Sequence, residues 1–397
     1  MEVSTGSKTL TTEEISSGVI VYGSGFASTA ALIVEAAKQH NLSVLVLDRF
    51  GELTNIASEL EDSVVLRPVK RRFNPLKPFG SPGVSVLPML YAAAYSVGRD
   101  MPNAEMVRRA QDLVLAGKEP TGVSLAADLL EQEIEELELL ARPSSVQYLG
   151  NKEDFDMEAM MSHDVFVDMS LVQAADEATL ICLSCLLRAR ALLDPGTELV
   201  MITHPDVFFA TRSRASPANV QFLHDLFSSL LSRGINLAVA CQSPELIPSP
   251  ILLKMFTRVT EKTSPPRVEI SSPSGRRSVT AHLHCFSQVM SEDEIERRMA
   301  PFVIKDGGSN LPPWLVSDFG DEAEVAAEVV KHIAEKQPSL DEAIGRANDM
   351  AKGVGGSVVG RLVRLRYAII EQAGPRSAVV LAEKGKRLLN SLSGDVR

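Results

Sequence analysis

An apolar run, Val19-Ile20-Val21-Tyr22, enters Gly23-Ser24-Gly25, and a helix-prone stretch follows from Ser28 to Gln39. A glycine turn between a strand and a helix can aim successive backbone N–H groups at an anion. The helix dipole adds its positive end, and Ser28 and Thr29 add hydroxyls. A tight connection with no ligand and a residual site for a nucleotide or other anion both fit this pattern. No nearby cation joins it: the first lysine past Gly25 is Lys38. Thirteen residues of helix, rising ~1.5 Å each, put its Cα about 20 Å away. Two other segment ends carry polar groups. Ser43 to Leu47 runs into Asp48-Arg49-Phe50-Gly51-Glu52, and Glu198 to Thr203, the most strand-like segment, ends in Thr203-His204.

Other reactive residue types read more plainly. Cys182 and Cys185 form a C-x-x-C inside the helical run Ile181 to Leu187, where buried small hydrophobes fit better than a redox pair. His282, His284 and Cys285 lack a second cluster with matching ligand spacing, so no metal is expected. Arg67, Lys70, Arg71, Arg72 and Lys77 place five positive charges in 11 residues around Phe73. They read as a solvated loop or inter-subunit patch, or as a phosphate-contacting loop. Arg276 and Arg277, beside the turn Ser272-Pro273-Ser274-Gly275, invite the same two readings.

The elements that must position these residues alternate. Strands are expected at Val19–Tyr22, Ser43–Leu47, Val64–Leu66, Asp164–Asp168, Glu198–Thr203 and Ile235–Ala240. Helices are expected at Ser28–Gln39, across 84–142, and at Gln173–Leu193 and Ala218–Ser232. Continuous apolar strands alternating with helices call for a mostly parallel sheet covered on both faces, an α/β fold. The acidic group Glu131, Glu133, Glu135, Glu136 and Glu138 reads as a solvated helix face. From Arg267 the period becomes two, so Val268–Ile270 and Val279–Leu283 read as a hairpin, followed by an acidic helix capped by Ser291. Asp321 to Glu335 reads as a linking helix.

Beyond it the pattern is helix (Ser339–Ala347), helix (Ser357–Glu371), strand (Ala378–Leu381), helix (Glu383–Ser391). This order suggests a small α+β winged helix-turn-helix. Its second helix carries an apolar stripe of Val359, Leu362, Val363 and Leu365, with Arg361 and Arg364 on the polar face. Arg366 follows, and Arg376 falls at the wing tip. The ending Ala382-Glu383-Lys384-Gly385-Lys386-Arg387-Leu388-Leu389 is similar to that of archaeal and bacterial winged-helix proteins. DNA contact through these arginines and docking of a protein are both open.

The 397 residues are 45% hydrophobic and 23% charged, with four cysteines and a net charge of -11. These values argue against a disulfide framework and a whole-surface nucleic-acid binder. No apolar run is long enough for a spanning helix, and the polar start Met1–Ser17 is unlike a signal peptide, so a cytoplasmic protein without membrane insertion is expected. The charge is divided: the last 59 residues hold 10 Lys+Arg against 6 Asp+Glu, which leaves the rest strongly acidic. The expected organisation is a flexible N-terminus (1–14), a large domain (15–320), a linking helix (321–338) and a small basic domain (339–397).

Six features stand in order along the first 320 residues. They are the glycine turn, Leu45 to Glu52, Asn74-Pro75 in the next loop, Phe166 to Ser170 before a long helix, Leu199 to His204, and Arg233-Gly234-Ile235 leading to Cys241-Gln242-Ser243-Pro244. This series resembles the HerA/FtsK-type P-loop ATPases, including the conjugation and type IV secretion pump ATPases. The resemblance implies a RecA-like P-loop NTPase core, although too little chain precedes Val19 for the family's small N-terminal β-barrel. It places Gln242 at a sensor position, and Arg233 and Arg258 where a residue can act on a neighbour's nucleotide.

The departures fall on the chemistry. A P-loop places a lysine after its last glycine to reach the phosphate oxygens. With Gly25 in that place, Phe26 and Ala27 stand where Lys and Ser/Thr belong; with Gly23 as the first glycine, Ser28, Thr29 and Ala30 fill the Gly, Lys and Ser/Thr places. The Walker B strand should end in two carboxylates, one for magnesium and one for the attacking water, yet it ends in Thr203-His204. Asp206 lies two residues past the glutamate place. The resemblance with these losses implies a pseudo-ATPase with no catalytic residues, no metal and at most residual ATP or anion binding. It would be a homo- or hetero-oligomeric partner of an active ATPase in a DNA-processing or DNA-transfer complex. An active translocase with atypical residues and a winged-helix transcription regulator are the alternatives.

Overall fold

The computed structural model describes residues 10–79, 86–129, 132–142, 144–209, 216–247, 249–263, 266–280, 290–304, 315, 319, 322–353, 355–373 and 376–392. Glu131, His282, His284 and Cys285 lie outside these residues. Two compact units are formed, Met1–Glu153 with Met160–Ile295, and Asp154–Ala159 with Glu296–Arg397.

The first unit is built on a nine-stranded sheet in the order β3-β4-β2-β5-β6-β1-β7-β8-β9. Its strands are β1 (Val19–Tyr22), β2 (Ser43–Asp48), β3 (Ser63–Leu66), β4 (Asp164–Asp168), β5 (Glu198–Thr203), β6 (Asn236–Cys241), β7 (Thr257–Thr263), β8 (Pro266–Ser272) and β9 (Gly275–Thr280). The strands from β3 to β7 in this order pair parallel, and β8 and β9 extend the sheet antiparallel. Together with helices between the parallel strands, this is a mixed α/β fold on a large, mostly parallel sheet. β4, β5 and β6 are buried at every position, which is why their sequences run apolar without alternation.

Helices of seven or more residues are labelled in order: α1 (Phe26–Gln39), α2 (Leu87–Ser96), α3 (Ala104–Leu115), α4 (Gly122–Asp128), α5 (Glu135–Ala141), α6 (Ala175–Leu192), α7 (Pro217–Ser232) and α8 (Glu292–Met299). α1 begins at Phe26, two residues before the expected start, and packs its Ala30, Ile33, Val34 and Ala37 into the core against β2, β6 and β7. α6 is buried nearly all round, Cys182 and Cys185 included, and burial pushes the Cys185 thiol up to about 12.

Three expectations are corrected. The described residues of 84–142 form four separate helices, α2 to α5. Within them Glu136 is buried and accepts the Asn103 backbone N–H (3.0 Å), so the acidic group is only partly a solvated face. The third correction is β7, a strand the sequence reading did not contain.

The second unit contains α9 (Ala323–Lys336), α10 (Leu340–Met350), α11 (Gly355–Arg364), a hairpin of β10 (Ala368–Ala373) and β11 (Arg376–Leu381), and α12 (Glu383–Leu392). α10 opens with a reciprocal Ser339–Glu342 capping box. The expected helix to Glu371 stops at Arg364. Arg366 adopts φ 60°, the Tyr367 N–H reaches the Leu362 carbonyl and the Arg366 N–H reaches Val363, a Schellman closure. The β-branched Ile369 and Ile370 then pair across the hairpin with Val380 and Val379.

Candidate functional site

Register decides what meets at the carboxyl edge of the parallel strands, where open α/β sheets bind ligands. Tyr22 lies opposite Cys241, Ala240 opposite Thr203, Ile202 opposite Leu47, and Asp48 opposite Asp168. The glycine turn, Asp48, Thr203, His204 and Gln242 therefore gather at one edge, as the order of motifs requires.

The turn is closed by its own backbone. Gly23, at φ 131°, donates its N–H to the Gln242 carbonyl (3.2 Å), and the Phe26 N–H goes to the Gly23 carbonyl (3.3 Å). Two of the amides that a phosphate would use are thus engaged. Phe26, the residue expected in the lysine place if Gly25 is the last glycine, is buried and meets the His204 ring edge-on at 4.8 Å. Phe50 also meets the His204 ring edge-on, at 4.6 Å, and remains 48% exposed. His204 is pinned by three further features: φ 51°, an N–H to the Ala240 carbonyl (2.7 Å), and Nε2 on Glu52 (2.8 Å). Aromatic rings, not an ammonium and a carboxylate, fill the space between turn and strand end.

Thr203 is equally committed. Its buried hydroxyl accepts the Arg49 N–H (2.9 Å) and donates to Asp48 Oδ1 (3.2 Å), while Asp48 Oδ2 accepts the Leu53 N–H (2.6 Å). Burial pushes the Asp48 carboxyl up to about 6, and the Asp168 and Glu52 carboxylates add to the rise. The Arg49 guanidinium is buried too. It donates to the Met169 carbonyl (3.0 Å) and lies over Phe50, and burial pulls it below the usual arginine range. Asp206 sits past the strand end in the short helix Pro205–Phe209, near the Cys241 thiol. Among the described residues no cluster of three or more His, Cys, Asp or Glu could hold a metal ion.

The remaining predicted residues scatter. Ser28 and Thr29 lie in the first turn of α1, where Thr29 is buried and its hydroxyl reaches back to the Gly25 carbonyl (3.4 Å). Arg258 is exposed on β7. Arg233 caps α7 at the opposite edge, about 20 Å from Gln242 by the length of β6. In the basic loop Arg67 pairs with Asp168 (2.8 Å) and Glu292, and Lys77 with Glu153 (3.0 Å). Lys70 and Arg72 are exposed and Arg71 is half-buried. Phe73, among these basic residues, is buried with the Arg188 guanidinium over its ring. Arg276 pairs with Glu269 and Arg277 with Glu14.

In the second unit α11 buries Val358, Val359 and Leu362, while Val363 and Leu365 are only half-buried. Arg361 is half-buried against Glu322 (3.7 Å) and the Phe319 ring (5.9 Å). Arg364 and Arg366 are exposed, the latter on the helix cap, and Arg376 opens β11. No helix among the described residues is long and apolar enough to cross a membrane.

Sequence reasoning missed two features. One is Glu261, whose carboxylate lies on Gly25. The other is the buried network in which Arg188 donates to Glu153 (2.6 Å) and to the Asn74 carbonyl (2.6 Å). An arginine within an apolar helix was the available signal for the second.

No protein-family model matches the chain, and no curated protein does. Among solved structures it is similar to VirB4 of Thermoanaerobacter pseudethanolicus, at 13% identity and a TM-score of 0.49, over 70% of this chain and 92% of that one. It is also similar to the plasmid coupling protein TrwB in complex with ADP and Mg2+, at 12% identity and a TM-score of 0.43, over 69% of this chain and 82% of that one.

Proposed function

We propose that the chain is a catalytically inactive HerA/FtsK-like pseudo-ATPase, an assembly or regulatory subunit of a DNA-processing or DNA-transfer complex. The observation that carries this reading is the contact of Phe26 with His204, the residues in the lysine and glutamate places, across the space a γ-phosphate and its magnesium would need. Positioned cations and carboxylates supply most of the catalysis in phosphoryl transfer, and a phenyl and an imidazole ring replace neither the lysine nor the carboxylate. The RecA-like surface then serves association with an active ATPase, with Arg233 and Arg258 available to a neighbour. The second unit is a winged helix whose Arg364, Arg366 and Arg376 contact DNA.

Calorimetry with ATP and magnesium, alongside the solution mass, tests the first part. No tight magnesium-dependent binding is expected. Tight binding by a hexamer, with DNA-stimulated hydrolysis, would establish the active translocase instead. For the second unit, Ile369 and Ile370, each 44% exposed on β10, favour a protein partner as a second reading. Footprinting the full chain against a chain lacking residues 339–397 separates the two: protection lost on deletion supports DNA contact, and no protection from either supports protein docking.

A further inference from the structure

Away from the carboxyl edge of the sheet, α2, α6 and α7 leave a cavity of about 310 Å³ between them. Its lining includes the buried Leu187 and Leu226 and the half-buried rings of Tyr91 and Phe222, stacked with centroids 6.4 Å apart and planes 21° from parallel. Two charged residues join this apolar lining, Arg190 of α6 and Asp225 of α7. They differ in what holds them. Asp225 is exposed, and its Oδ1 accepts the Gln221 amide (2.7 Å). Arg190 is half-buried, and among the described residues no ion pair or hydrogen bond engages its guanidinium. Arg188, two residues earlier on the same helix, has both Glu153 and the Asn74 carbonyl. The surroundings of Arg190 add a second cation instead of an anion. The chain leaving α6 is tied to the chain leaving α7 by the Gly196 N–H on the Gly234 carbonyl (2.9 Å), and Arg233 caps α7 there. Burial, with the Arg233 charge adding, pulls the Arg190 guanidinium below the usual arginine range. A half-buried cation beside a like charge gains from an anion that pairs with it.

We propose that this cavity binds a small monocarboxylate with an apolar body, its carboxylate on the Arg190 guanidinium and its body against Tyr91, Phe222, Leu187 and Leu226. The volume lies near the lower limit of small-molecule sites, which combine apolar walls with a few placed polar groups. A planar guanidinium suits a carboxylate because two parallel N–H···O bonds can form at once. Asp225, on the same lining, repels a second negative charge, so a dicarboxylate is disfavoured. The inference is independent of the pseudo-ATPase reading.

The test is calorimetry and saturation-transfer NMR of the full chain with hydrocinnamate, with hydrocinnamide as the uncharged control, phenylsuccinate as the dianionic one, and circular dichroism reporting the fold. The wild type is expected to bind hydrocinnamate at least about tenfold more tightly than its amide, the equivalent of about 1.4 kcal/mol, and Arg190→Gln to abolish that preference. If Arg190→Gln misfolds, Arg233→Gln, at an exposed position, is expected to weaken the acid and leave the amide unchanged. Asp225→Asn is expected to tighten phenylsuccinate more than hydrocinnamate. Equal affinities for acid and amide in the wild type, or binding of neither, would overturn the proposal. So would a dimer in solution that Arg190→Gln disperses, since a second copy would then cover the cavity.

Discussion

Replacing Arg188 by methionine is expected to lower the stability of the first unit by about 3–5 kcal/mol, the range for breaking a buried ion pair from one side. Arg188 lies on α6 with its side chain almost fully buried. It donates to Glu153 Oε1 and to the Asn74 carbonyl, each at 2.6 Å, and its guanidinium lies 4.8 Å over the Phe73 ring. Methionine keeps the length and apolar stem but leaves Glu153 buried with only Lys77, at 3.0 Å, and the Asn74 carbonyl with only the Lys77 N–H (3.2 Å). The loop that Arg188 anchors is itself hydrogen-bonded, since the Asn74 side chain accepts the Leu76 N–H and donates to the Pro120 carbonyl. Chemical denaturation followed by circular dichroism gives the value. Arg188→Met combined with Glu153→Gln is expected to recover part of the loss, because no unpaired charge then remains. A single-variant cost below about 1 kcal/mol would show that the pair is solvated.

Legibility in the sequence followed burial. β2, β4 and β5 were readable within a residue because their strands are covered on both faces and their apolar runs are continuous. β7, Thr-Arg-Val-Thr-Glu-Lys-Thr, contains a single aliphatic residue, Val259, and owes its place to pairing with β1 on one side and β8 on the other. Nothing in its composition signals that pairing, so Glu261 could not be placed near Gly25. Motif spacing put His204 in the expected glutamate place and, with Gly25 as the last glycine, Phe26 in the expected lysine place. It could not show that the two rings meet, because that depends on α1 beginning at Phe26 and on His204 adopting a left-handed backbone. The end of α11 was hidden for a similar reason. An arginine, not a glycine, takes the left-handed cap position, so the helical pattern seemed to continue into Ile369 and Ile370.

Asp48→Asn is expected to stabilise the protein above pH 7 by about 2–3 kcal/mol and to leave it unchanged near pH 4. The carboxyl is pushed up to about 6, from an ordinary 3.8, chiefly by burial, with Asp168 and Glu52 adding repulsion and the Leu53 N–H and Thr203 hydroxyl opposing. A folded-state value above the unfolded one means that the native protein holds the proton more tightly. The contribution of Asp48 is therefore greatest below about pH 4, falls as pH rises through about 6, and levels off beyond. Each pKa unit is worth about 1.4 kcal/mol, so the ionised, buried carboxylate costs about 3 kcal/mol at neutral pH relative to the acid limit. Asparagine removes the charge and keeps a carbonyl for the Leu53 N–H, while its amide can donate to the Thr203 hydroxyl. The stability difference between wild type and variant, measured from pH 4 to 8, should then open between pH 4 and 6 in favour of the variant. The opposite result, a variant less stable at pH 8, would mean that the strand end requires an anion, as a site built for a bound cation would. A carboxylate pushed up to about 6 by its own burial, beside a buried threonine hydroxyl, is a poor ligand for magnesium, so the same measurement bears on the proposed inactivity as well as on the stability of the fold.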